Sequence, residues 1–197
     1  MDPSHYDLLF QRLSGMGTPV GRIVHLSNIT GPNYPEPVSP GYYWDSETAG
    51  AGVFSLFYLA EALPRGGFAQ LPRLIVLSDN IHDVVGNEPV YPLKAAVLGA
   101  LRFIPKQVPE LECSSIDIHL PEPGSALYRK LVHRLAGEVI AENGHGVTVY
   151  RGTNRMVRTV EPAALAAPEP GASLLKPNGV YLISNGAGNA GLLLAGL

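Results

Sequence analysis

The chain has 197 residues, 46% hydrophobic and 16% charged, with a formal net charge of -3, which suits one ordinary folded domain and excludes a disordered polyelectrolyte. That charge leaves no basic field for a nucleic acid or an anionic membrane, and no apolar run reaches the roughly 20 residues that span a bilayer. The single cysteine, Cys113, cannot form an intrachain disulfide, and the opening MDPSHYDLLF lacks a signal-peptide pattern, so a reducing, cytoplasmic setting is expected.

The first helix-compatible stretch is YDLLFQRLSG (6–15), followed by GRIVHLSNI (21–29), which Ile23, Val24 and Leu26 make a short buried strand. Residues 30–45 carry four prolines and two glycines and read as a loop. A helix is expected within 45–67, opened by capping residues, with Val53, Phe57, Ala60 and Leu63 at helical spacing and PRGG as its stop.

RLIVLSDNI (73–81) reads as a strand buried on both faces. Pro92 stands where a first-turn proline would, and Leu93, Ala96, Val97, Ala100, Leu101 and Ile104 form one apolar stripe behind it. ECSSIDIHL (112–120) is a third strand, and 125–143 a helix with Ser125 as its cap, closing near Asn143 and Gly144. Residues 146–162 form a fourth strand that Gly152 can bend into a hairpin. Strands alternating with helices predict an α/β fold: a truncated Rossmann-like unit with a mostly parallel sheet flanked by helices. Residues 163–176 are rich in alanine and proline and read as a linker. Beyond it GVYLIS (179–184) predicts a last strand and AGLLLAGL (190–197) a last helix.

Between those two lies NGAGNAG, in which Gly186, Gly188 and Gly191 satisfy G-x-G-x-x-G. Such glycines let backbone approach a pyrophosphate at a helix N-terminus. Elsewhere the side chains read more plainly. His25 reads as a core or edge histidine, and the six histidines show no zinc-ligand spacing. Asp79, Asp83 and Glu88 cluster after the second strand, where α/β proteins bind ligands, yet solvated and capping carboxylates explain them. Glu110, Glu112 and Asp117 read as solvated or pairing charges, and Cys113 as a small buried hydrophobe. Ser27 and Ser78 lack the G-x-S-x-G frame of a hydrolase elbow. Arg151, Arg155 and Arg158 read as charges projecting toward solvent or a partner.

Several blocks together resemble the ketoreductase region of modular type I polyketide synthases, specifically its N-terminal structural subdomain. The most specific runs from 73 to 118, where Gly86, Glu88, Pro92, Lys94, Ala95 and Gly99 match the family's G-x-E-x-x-x-P-x-K-A-x-x-x-G. Ile104, Pro105, Pro109, Cys113, Ser115, Ile116 and Asp117 continue the likeness, and VYRGTNRMVRTVEP resembles YRGxxRWVxxxEP with Met156 in place of tryptophan. GVYLISNGAGNAGLLLAGL resembles the first β–turn–α of the family's NADPH-binding catalytic subdomain.

The resemblance implies a structural subdomain over 1–162, a linker over 163–176 and the start of the catalytic subdomain over 177–197. It implies a non-catalytic brace for a partner subdomain that reduces a β-ketoacyl group on an acyl carrier protein with NADPH. Ser184, Asn185, Gly186, Gly188, Asn189 and Gly191 would be the remnant cofactor turn. Asparagine replaces the family's glycine at 185 and 189, where its side chain takes up space near the phosphates. No Y-x-x-x-K occurs, so the proton donor for ketone reduction is missing and this chain alone is expected to bind no cofactor and to be inactive. A stand-alone nucleotide-binding or flavodoxin-like module is the alternative.

Overall fold

The computed structural model describes residues 2–17, 19–31, 50–141, 146–164, 166, 176, 178–184 and 186–196. Its chain divides into two compact units, Met1–Thr159 and Val160–Leu197.

The first unit is built on five strands in the order β1-β2-β3-β4-β5: β1 Arg22–Asn28, β2 Arg73–Asp79, β3 Cys113–Ile118, β4 Gly146–Arg151 and β5 Asn154–Val157. The first four are parallel, and β5 returns antiparallel to β4. The fold is therefore α/β, with the mostly parallel sheet that the strand–helix alternation predicts. The bend at Gly152 makes a hairpin with Arg151 opposite Asn154, and its φ of 60° is one that a glycine adopts without strain.

Helices cover the two faces unequally. Leu74 and Val76 of β2 pack with α1 (Ser4–Gly15), α2 (Ser55–Ala62) and, beyond the short helix α3 (Pro92–Ala95), α4 (Val97–Gln107), through Phe10, Leu56, Leu59, Val97 and Ile104. The other face carries Ile75, Leu77, Ile116, Ile118 and Tyr150 beneath Leu131 of α5 (Ala126–Ile140). The burial expected of the first strand is corrected: β1 lies at the edge of the sheet, and its Val24 and Leu26 stay exposed.

Local sequence explains most boundaries. Ser125 caps α5 by accepting from the Tyr128 N–H at 3.1 Å, and Pro92 opens α3 from its first position. The expected stripe from Leu93 to Ile104 is interrupted at Ala96, so two helices stand where one was predicted. The predicted helix within 45–67 begins, among the described residues, with a π turn over Gly50–Phe54, and Leu63–Arg65 tightens into a 3₁₀ turn ahead of the glycines. Gly52 in that π turn lies against β1: a Cβ there would stand 3.0 Å from Asn28 Oδ1. The capping residues before Gly50, most of the 30–45 loop and the expected helix close at Asn143 and Gly144 lie outside the described residues, as does most of 163–176.

In Val160–Leu197 one expectation is corrected. GVYLIS (179–184) is not a strand; Val180 and Leu182 are 99% and 98% exposed. A strand takes its backbone hydrogen bonds from a neighbouring strand, and none exists among the described residues of this unit. Instead Gly179 N–H donates to Lys176 O at 2.9 Å, and Asn178 takes a φ of 61°. The last helix, α6, is Asn189–Ala195 with Gly188 at its N-cap.

Candidate functional site

In a parallel sheet ligands bind beyond the carboxyl ends of the strands. Here those ends are β1 at Asn28, β2 at Ser78 and Asp79, β3 at Asp117 and β4 at Arg151. A bulge in β1 between His25 and Asn28 shifts its register, so Asn28 faces Ser78 across the ladder. Its amide donates to Ser78 Oγ at 2.8 Å and to Lys94 O at 3.1 Å, fastening β1 to β2 and to α3.

Asp79 and Lys94 are each only 1% exposed, and they form an ion pair. The Asp79 carboxylate also accepts the Thr30 N–H at 3.2 Å and the Gly31 N–H at 2.8 Å. Lys94 Nζ donates further to Asp79 O at 3.4 Å and stands 5.1 Å from the centre of the Tyr91 ring. Burial pulls the ammonium pKa below its ordinary value, opposed by the Asp79 carboxylate. A buried pair of this kind holds only because each partner's remaining hydrogen-bonding capacity is used.

A second knot lies beside it. Asp117 is fully buried and accepts from the N–H groups of Ile81 and His82 at 3.1 and 3.2 Å and from Arg151 Nη2 at 2.9 Å. Arg151 pairs with Glu88 and donates to His82 O at 2.7 Å. Glu88 in turn accepts from the N–H groups of Val84 and Val85 at 2.5 and 3.1 Å. Burial pushes the Glu88 carboxyl up, but those N–H groups and Arg151 together hold it below the usual carboxylate range. Asp83 accepts from Gly86 N–H at 2.8 Å, which closes the 83–88 turn.

Two sequence readings change here. Asp79 is not a solvated carboxylate, because Lys94 and two backbone donors repay its burial. Arg151 does not project toward solvent, since Asp117 and Glu88 hold it inside. Arg155 does stay exposed as read, and it bonds Glu138 at 2.8 and 2.7 Å, while Tyr150 Oη donates to the same carboxylate at 2.7 Å. Burial pushes the Tyr150 phenol up to about 12, aided by the Glu138 charge. Asp83 and Glu88 do serve as capping carboxylates.

His25 sits in the core, with Nε2 2.6 Å from Ser55 Oγ. Ser55 Oγ lies beside the Ala51 and Gly52 carbonyls, the latter at 3.0 Å, so its proton is directed at backbone. His25 Nε2 must then be the donor, which leaves Nδ1 as the bare nitrogen. In that arrangement His25 does not stand as a base toward Ser55. Burial pushes its pKa down to about 4. Burial likewise raises the Cys113 thiol to about 11, against any thiolate role. Among the described residues no group of three His, Cys, Asp or Glu could hold a metal.

At the opposite, amino-terminal edge lies an open groove of about 1100 Å³, bordered by Phe68, Leu71, Arg22, Arg73 and Glu112. The second unit carries the glycine turn. Gly186 lies close to Ile183 O, where a Cβ would stand at 3.1 Å, Gly188 caps α6 and Gly191 is buried within it. Ser184 precedes the turn, Asn189 is the first helical residue and Asn185 lies outside the described residues.

The donors that a pyrophosphate would use at the first unit's carboxyl edge are thus taken by Asp79, Asp117 and Glu88. These residues do not fit a dinucleotide. Sequence reasoning passed over Asn28 and took Lys94 only as a position of the family pattern, without its buried pairing; a lysine three residues before Val97, in line with the buried helical face, was the available signal.

No family model matches the chain, and no curated protein matches it. Among solved structures it is similar to part of a multidomain structure of a keto acid-selecting NRPS module comprising adenylation, ketoreductase and pseudo Asub parts, with a TM-score of 0.72 and 23% identity. The likeness covers 98% of this chain and 16% of that one, so this chain spans about one sixth of its length. No helix among the described residues is long and apolar enough to cross a membrane. The chain shares its Rossmann-like fold with a stretch of a ketoreductase-containing module.

Proposed function

We propose that this chain is the non-catalytic structural part of a polyketide synthase ketoreductase. It braces the NADPH-dependent half that reduces a β-ketoacyl group on an acyl carrier protein. The observation that carries this reading is the closed carboxyl edge. The place where an α/β sheet takes its ligand is filled by Asp79–Lys94 and by Asp117–Arg151–Glu88, and these pairs fasten the crossover loops to the strands. A sheet sealed in this way is suited to support, with hydride chemistry left to a partner. In the same reading Gly186, Gly188 and Gly191, with Ser184, Asn185 and Asn189, are the opening turn of that partner's NADPH site.

Calorimetric titration of the chain with NADPH, NAD, ATP and FMN tests the reading. No saturable heat is expected up to millimolar ligand. Micromolar binding of any of them overturns it and favours a nucleotide-binding module. Mixed with a ketoreductase catalytic subdomain, the chain should raise that subdomain's melting temperature.

A further inference from the structure

The Asp79 carboxylate is held as a bound anion would be. Two consecutive backbone N–H groups after β1, those of Thr30 and Gly31, converge on its two oxygens at 3.2 and 2.8 Å, and the Lys94 ammonium closes the third side. Consecutive N–H groups with a neighbouring cation form an anion-binding concavity, and the loop after the first strand is where α/β proteins place one. The usual occupant comes from solution, whereas here the adjacent strand supplies it. Lys94 and Asp79 are both withdrawn from water, so nothing from solvent shares the cradle.

We propose that Thr30, Gly31 and Lys94 form a binding site for a carboxylate-sized oxyanion, and that Asp79 is its built-in ligand, the residue that keeps dissolved anions out of this end of the sheet. The proposal concerns the first unit alone and does not rest on the ketoreductase reading.

Removing the side chain opens the site. The Asp79→Ala variant of the full chain is melted in sodium formate and in sodium chloride at equal ionic strength. Formate at ten times its dissociation constant should raise the variant's Tm by about 3–6 °C over chloride, while the unaltered chain moves by less than about 1 °C. If the variant fails to fold in chloride, recovery of folded protein in formate is the same result. Failure in both salts overturns the proposal, as does an equal Tm in both. Asp79→Asn, whose amide fills the space, should be indifferent to formate. The double variant Asp79→Ala with Lys94→Met should lose the response. A formate response in either of these is a general salt effect and overturns the proposal as well.

Discussion

The two faces of the sheet are held in different ways. Among the described residues thirteen buried apolar side chains gather on the face under α1, α2 and α4, against six on the face under α5, so the first face depends on hydrophobic burial. The second relies on polar fastenings around its single helix. Glu138 joins Tyr150 and Arg155, Arg134 donates to Thr153 O at 2.8 Å, and Arg22 and Arg73 donate to the carbonyls of Ile140 and Ala141. Such bonds are directional and charge-assisted, so α5 is positioned by geometry more than by area. A thinly covered face can be kept in register this way, at the cost of sensitivity to pH and salt.

The largest effect that tests this contrast is Leu56→Ala, expected to cost about 4 kcal/mol in denaturant unfolding because its neighbours cannot close the cavity. Leu131→Ala beneath α5 should cost about 2 kcal/mol, since a helix with exposed flanks relaxes into the space. Equal costs would break the comparison. Acid should separate the faces next. His25 has a folded pKa pushed down to about 4, so the unfolded chain binds its proton first. Its share of stability is present above about pH 6.5 and is lost as pH falls toward 4, on the order of 3 kcal/mol. In His25→Gln, unfolding measured across that window should be flatter by that amount.

Glu138 titrates in a lower window. Hydrogen bonds from Arg155 hold its carboxyl below the usual range, so its contribution is present above about pH 4.3 and goes only as pH drops through the lowered value. Glu138→Gln should cost about 1–2 kcal/mol at neutral pH and speed amide exchange in α5 more than in α4. The smallest effect is Ser125→Ala, about 1 kcal/mol, also read as faster exchange in the first turn of α5. A larger loss in α4 than in α5 from either change would remove the assignment of these fastenings to one face.

Much of the first unit was legible in the sequence because the signals are local. RLIVLSD carries a continuous apolar run, Leu74–Leu77, that is buried on both faces, Ser125 precedes its helix by one residue, and a single glycine at 152 marks the hairpin. The closed carboxyl edge was not legible. Lys94 and Asp79 lie 15 positions apart, and nothing local says that a lysine will be buried until its partner is in place. Arg151 finds Glu88 63 residues back, and a run of arginines on a strand looks solvated from composition alone. The strand expected over 179–184 failed for the reverse reason. Its run of apolar residues states a preference for extended backbone, but without a ladder partner among the described residues of this unit Val180 and Leu182 are left in water.

The arginine caps on α5 also impose an order of events. Arg22 reaches Ile140 O across 118 residues, and Arg73 reaches Ala141 O across 68. Both arginines begin strands, so the helix end is secured only after β1 and β2 have come together and long loops have closed. Refolding should therefore show α5 as a late arrival, gaining protection after the central ladder has zipped.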